Sequence, residues 1–182
     1  MKYLVFKCFI LIIPVSLGLF FYLFLIEENN YPGADYEKFE LPVFELQNLD
    51  ANKLIKKDSL KGDLIINVWA SWCITCLIEH PYLMNLKSNG IEIIGLNYKD
   101  EKNDASEWLL RYGNPYKIII HDYKGSLALD LGVTGAPETF LVDDGEIVAH
   151  YQGEINRLIW EDVFVPIIEE RNMFSEIGRA HV

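Results

Sequence analysis

Apolar and polar positions follow three patterns along the 182-residue chain. From Cys8 to Ile26 no charge interrupts the run CFILIIPVSLGLFFYLFLI, 19 residues and about the length a helix needs to cross a bilayer. From Glu27 to Glu40 the chain is polar around Tyr31-Pro32-Gly33 and reads as a tether. Beyond Leu41, short apolar runs alternate with amphipathic stretches, the pattern of strands and helices taken in turn. Pro42-Val43-Phe44-Glu45-Leu46 predicts a short edge strand. Leu64 to Ala70 is almost continuously apolar and rich in Ile and Val, as expected of a central strand buried on both faces. The stretch Leu77 to Met84 is helix-like and should end before Asn89-Gly90, a C-cap signal; Ile91 to Leu96 then resumes as a strand, completing a βαβ unit.

The second half continues the alternation. Asp104 to Arg111 predicts a helix broken by Gly113-Asn114-Pro115, Tyr116 to Ile120 a strand, and Ser126 to Leu131 a short helix closed by Gly132. Thr139 to Val142 and Glu146 to Tyr151 read as two strands joined at Asp143-Asp144-Gly145, whose Asp-Gly favours a hairpin. Ile155 to Arg171 carries Leu158, Ile159, Val163, Val165, Ile167 and Ile168 on a helical period, a final amphipathic helix for the sheet. The fold class is therefore α/β, with a mixed sheet flanked by helices.

Charge orients the first segment. Lys2 and Lys7 precede it and Glu27 and Glu28 follow it, so the positive-inside bias keeps the N-terminus cytoplasmic and sends the rest across the membrane. No small-residue cleavage site follows the run, and an uncleaved anchor is expected rather than a removed signal peptide. From residue 27 onward, 27 acids face 14 Lys and Arg, a net charge of −13 that argues against nucleic acid as a partner. Glu176 to Val182 match the translation of a short-read sequencing adapter and are expected to be a non-native tail. The chain divides into an anchor over 1–26, a tether over 27–40, a folded domain over 41–175 and that tail over 176–182.

The chemistry lies in Trp72-Cys73-Ile74-Thr75-Cys76, at the junction of the central strand and the following helix. Two thiols two residues apart at such a junction make a dithiol redox site. Unpaired amides and partial positive charge at a helix N-terminus stabilise a thiolate, which makes Cys73 the nucleophile. Cys76, one turn further in, is placed to attack the mixed disulfide formed by Cys73 and is the resolving thiol. Cys8 lies in the apolar run as a filler.

With Gly135-Ala136-Pro137-Glu138-Thr139-Phe140 before the hairpin, the order of elements resembles the thioredoxin superfamily. Within it, Asn67 to Cys73, Glu79-His80, Gly95 to Asp100, Gly113 to Tyr116 and Asp130 to Phe140 resemble the membrane-anchored CcmG/DsbE thiol:disulfide oxidoreductases of cytochrome c maturation. The resemblance covers about Pro42 to Glu169. It implies a thioredoxin-like fold with an N-terminal transmembrane helix, a cis Ala136-Pro137 bond, and an active-site surround of Trp72, Ala136, Pro137, Glu138, Glu79 and Asn67. Asn67 stands where thioredoxin itself has a buried acid, so the proton of the resolving thiol must leave by Glu79, Glu138 or water. The family usually has Pro-Thr between its cysteines and this chain has Ile74-Thr75, so the reduction potential does not carry over.

The resemblance implies a periplasmic reductant, held in the inner membrane, with no cofactor beyond its own disulfide. Its substrate would be apocytochrome c or a pathway partner, since haem attachment to Cys-x-x-Cys-His needs free thiols, and its electrons would come from a membrane thiol-relay protein. A general exported disulfide reductase or oxidase is the alternative. A third reading takes Cys73, Cys76 and His80 as ligands of a copper chaperone. His121 and His150 carry no partner pattern and receive no role.

Overall fold

Backbone pairing begins earlier than the apolar pattern suggests. In the computed structural model, which describes residues 13–22, 31–50 and 53–174, part of the stretch read as a tether forms two short strands, β1 (Ala34–Asp35) and β2 (Phe39–Glu40). Two-residue edge strands are held by main-chain bonds and leave no periodic signal in a polar sequence. Next come β3 (Glu45–Asn48) and β4 (Leu54–Lys56). The strand expected over Pro42 to Leu46 starts late because Leu41 and Phe44 turn into the core as irregular chain. Nor is β3 an edge strand: β4 pairs along its outer side, between that strand and solvent.

The Ile/Val-rich run is β5 (Leu64–Trp69), and all six of its residues are buried. It leads into helix α1 (Ile74–Ser88), capped at Asn89, and then β6 (Ile93–Tyr98). Helix α2 (Lys102–Tyr112) ends at Gly113, whose φ of 95° is open to glycine, and β7 (Ile118–Asp122) and α3 (Ser126–Asp130) follow. Strands β8 (Glu138–Asp143) and β9 (Glu146–Gln152) form the expected hairpin, with Asp144 and Gly145 both at positive φ.

The sheet order is β1-β9-β8-β5-β6-β7-β3-β4, with β2 also on β9. Strands β5, β6 and β7 are parallel, whereas β8 runs antiparallel to β5, so the sheet is mixed as expected. Along β5 the pleat sends Leu64, Ile66 and Val68 into one apolar cluster with Leu127, Ala128 and Leu131. Ile65, Asn67 and Trp69 face the other way, towards α1. On that face Gly95, opposite Asn67 in β6, makes room for two rings: a Cβ there would stand 2.8 Å from Trp69 Nε1 and 2.8 Å from the Tyr116 ring.

The final helix is not uniform. Arg157–Ile159 and Val165–Arg171 are α-helical, and Trp160–Phe164 between them is a π turn. Phe164 is buried and Leu158 is exposed, contrary to the expected apolar face, and the turn adds a residue to the helical period ahead of Phe164. Pro166, which cannot donate a helical hydrogen bond, lies two residues beyond it, near the start of the last α-helical segment.

The chain divides into two units, Met1–Tyr31 and Pro32–Val182. In the first, residues 13–22 are helical. Among the described residues no helix is long and apolar enough to cross a membrane. The expected span over Cys8 to Ile26 lies partly outside the described residues, and the tail 176–182 lies wholly outside them.

Candidate active site

Cys73 is the N-cap of α1, with extended φ and ψ of −88° and 107°, and its Sγ accepts a hydrogen bond from the Cys76 amide at 3.0 Å. The sulfur thus takes the place that a Ser or Asp oxygen fills at other helix starts. No acid stands in the first turn, so the positive end of the helix acts on Cys73 unopposed from within α1. The two cysteines form a disulfide, their Cα atoms 5.3 Å apart, which places the structure in the oxidised state. Cys73 is 5% exposed and Cys76 1%. The Ala136-Pro137 bond is cis, and Ala136 O lies 3.4 Å from Cys73 Sγ. Around the sulfurs Trp72 and Ile74 are exposed. Beside them opens a groove of about 450 Å³, lined by Trp72, Ile74, Leu77, Trp108, Arg111 and Tyr112 among others.

Beneath the helix, Asn67 joins three elements. Its Nδ2 donates to Glu79 Oε1 at 2.8 Å and to Thr139 Oγ1 at 3.3 Å, and its Oδ1 accepts from the Tyr116 hydroxyl at 2.9 Å. Glu79, three residues beyond Cys76 and so on the same helical face, is 2% exposed; its Oε2 accepts from the Ile155 amide at 2.8 Å. Burial pushes its carboxyl up to about 8 against the pull of those two bonds. Such a group takes or gives a proton near neutral pH, close to a thiol's ordinary value of about 8.5.

Glu138 is also buried, but its oxygens are fully engaged. Oε1 accepts from Thr134 N at 2.8 Å, Thr134 Oγ1 at 2.7 Å and Gly135 N at 3.0 Å, while His150 Nε2 pairs with Oε2 at 2.7 Å. Burial raises its pKa, but the bonds from His150, Thr134 and Gly135 outweigh burial and hold it below 4.5. It is a strut of the loop that carries Ala136 and Pro137, and a poor acceptor for a thiol proton.

The geometry gives the copper arrangement no support. His80 turns its Nε2 to Gly113 O at 3.1 Å and stands edge-on to Trp108, while both sulfurs are spent on each other. Burial lowers the His80 pKa, and among the described residues no three His, Cys, Asp or Glu are grouped to hold a metal. Three partners went unread in the sequence: Tyr116 and Thr139 on Asn67, and His150 on Glu138. The register Asn67↔Thr139 would have found Thr139; nothing local marks the other two.

Residues 37–161 match the Redoxin family. The thiol:disulfide interchange protein DsbE of Vibrio cholerae is 44% identical over 152 residues, 78% of this chain and 83% of that protein. The chain belongs to the DsbE family. The DsbE of Escherichia coli K12 is 42% identical over 134 residues, 71% of this chain and 72% of that one. Among solved structures, a DsbF homologue from Corynebacterium diphtheriae superposes with a TM-score of 0.62 at 21% identity, covering 72% of this chain and 90% of the other. A protein described as a DsbE from Chlorobium tepidum gives 0.58 at 24%, covering 71% and 96%. The fold is thioredoxin-like, and membership of the DsbE family makes the Cys73/Cys76 pair that of a thiol:disulfide oxidoreductase.

Proposed function

We propose that the chain is the reductant of cytochrome c maturation, held by a single N-terminal span in the inner membrane with its domain in the periplasm. The Cys73 thiolate attacks a partner disulfide: a Cys73–partner bond forms, the partner's S–S bond breaks, and the leaving thiolate takes up a proton. Cys76 then loses its proton to water, or to Glu79 in the fraction where that carboxyl is ionised, and attacks Cys73 Sγ. The second partner thiolate leaves, so the partner gains two electrons and Cys73–Cys76 becomes the disulfide. The dithiol needs no further cofactor, and a membrane thiol-relay protein restores it.

The observation that carries the reducing direction is Glu79, a buried carboxyl one turn behind the resolving sulfur. Strong oxidants of this chemistry owe their potential to a stabilised thiolate. Here the helix N-terminus stabilises the Cys73 thiolate, and the neighbouring buried side chain is an acid rather than a cation. The apolar run Cys8 to Ile26 supports the anchor, and the names of the relatives support interchange at a protein disulfide. Apocytochrome c fits as substrate because its Cys-x-x-Cys-His must be dithiol before haem is attached. Ile74, in place of the family's proline, keeps a general exported reductase or oxidase as the second reading.

Equilibration of the full chain with glutathione and dithiothreitol buffers gives the potential of the pair. A value near the thioredoxin end, about −270 mV, supports the reductant; one near −120 mV refutes it. A Cys76→Ser variant should trap an oxidised Cys-x-x-Cys-His peptide as a mixed disulfide on Cys73, and its failure to do so would favour the general reductase.

A further inference from the structure

The loop that carries the nucleophile is tied to the end of a neighbouring strand. Ala70, Ser71 and Trp72 link β5 to the N-cap Cys73, and their own backbone turn is closed by one bond, Cys73 N to Ala70 O at 3.2 Å. The remaining restraint comes from the chain after β6. The Ser71 amide donates to Asp100 Oδ2 at 2.6 Å and the Ser71 hydroxyl to Asp100 Oδ1 at 2.7 Å. The Trp72 indole donates to Lys99 O at 3.0 Å.

Asp100 is 3% exposed, and its described partners are neutral donors: besides Ser71, Asn97 Nδ2 reaches Oδ2 at 2.9 Å. Asn97 Oδ1 is in turn bonded to His121 Nδ1 at 2.9 Å, across the β6/β7 register. Lys99 adopts a left-handed φ of 46°, an uncommon conformation for a residue with a side chain, and it brings the chain round so that Asp100 meets Ser71. Burying a carboxylate without a cation is costly, as is a left-handed lysine. Both costs fall on one contact, two residues before Cys73.

We propose that Asp100 is the positioning residue of the nucleophile. Its carboxylate holds the Ser71 backbone so that Cys73 Sγ sits over the first amides of α1, with Asn97 and His121 bracing the carboxylate from behind. Asp100 touches neither sulfur nor substrate. It acts through Ser71 on the geometry that stabilises the Cys73 thiolate.

The test is the pH profile of Cys73 alkylation by iodoacetamide in the reduced full chain, for Asp100→Ala and Asp100→Asn. Asparagine at this position satisfies the same partners: its oxygen accepts from the Ser71 amide and Asn97, and its amide donates to the Ser71 hydroxyl. Asp100→Ala should raise the Cys73 pKa towards the free value of about 8.5 and slow alkylation at pH 7 about tenfold, one pKa unit of thiolate. Asp100→Asn should keep the wild-type profile. A wild-type profile in folded Asp100→Ala overturns the proposal. So does an Asn variant whose profile departs from wild type in either direction, because the charge rather than the hydrogen bonds would then be at work. Should the alanine variant not fold, Ser71→Ala, which removes the hydroxyl bond alone, decides: a raised Cys73 pKa supports the clamp and an unchanged one overturns it.

Discussion

Glu79 should make this fold lose stability as pH rises through neutrality. Burial lifts its carboxyl from 4.5 to about 8. Between those values the native state keeps a proton that the unfolded chain has released, so stability falls with rising pH at up to ~1.4 kcal/mol per pH unit, roughly 5 kcal/mol over the whole range. His80 and His121 work in the opposite direction. Burial holds both below 6.5, so their contribution is complete above 6.5 and declines as pH falls below it. The range from pH 6.5 to 8 therefore isolates Glu79, and integration over it gives roughly 1.5 kcal/mol. The assay is urea denaturation of the oxidised protein, whose bonded cysteines do not titrate, for wild type and Glu79→Gln. Glutamine must turn its amide towards either Asn67 Nδ2 or the Ile155 amide, donor against donor, at about 1–3 kcal/mol whatever the pH. The wild type should be the more stable at pH 6.5, and its lead should shrink by roughly 1.5 kcal/mol by pH 8. Parallel curves would refute the reasoning, because Glu79 would then hold one protonation state throughout.

Two further substitutions test the packing around the dithiol. Gly95→Ala sets a Cβ 2.8 Å from both Trp69 Nε1 and the Tyr116 ring, and should cost about 1–3 kcal/mol in urea denaturation; a loss under about 0.5 kcal/mol would show that the rings yield freely. Ile74→Pro places proline at the first position of α1, where an amide lacks a helical partner and the 80% exposed isoleucine gives up little burial. It should raise stability by about 0.4–1 kcal/mol and shift the potential of the Cys73/Cys76 pair; a destabilised variant would mean that the backbone there does not accept the proline dihedral.

The central strand, the helix behind the cysteines and the hairpin were legible because each announces itself locally. Leu64 to Trp69 is apolar at nearly every position, Asn89-Gly90 closes a helix, and Asp144-Gly145 turns a chain. The partnership of His150 with Glu138 was not legible, and one residue accounts for it. A two-residue turn with unbroken pairing from Asp143↔Glu146 sets His150 opposite Thr139. The strand instead bulges between Leu141 and Val142, so that His150 lies opposite Phe140 and shares a face with Glu138. Val148, Ala149 and the residues facing them are all apolar and buried, so no polar position betrays the slip. The status of Glu79 was hidden for a related reason. A carboxylate on a helix reads as a surface charge until the facing strand is known to offer Asn67 and the following loop the Ile155 amide.

A disulfide whose cysteines are 5% and 1% exposed, ringed by an open indole and an open isoleucine side chain, is an insulated contact. A small thiol must pass Trp72 or Ile74 to reach Cys73, so it should equilibrate with the disulfide, but slowly. On the proposed function, a protein that covers both side chains and lays its own chain along Ala136 would reach the sulfur in the course of docking. Electrons would then move by fit more than by concentration, and two thiol pools could share a compartment without short-circuiting through a protein of this kind.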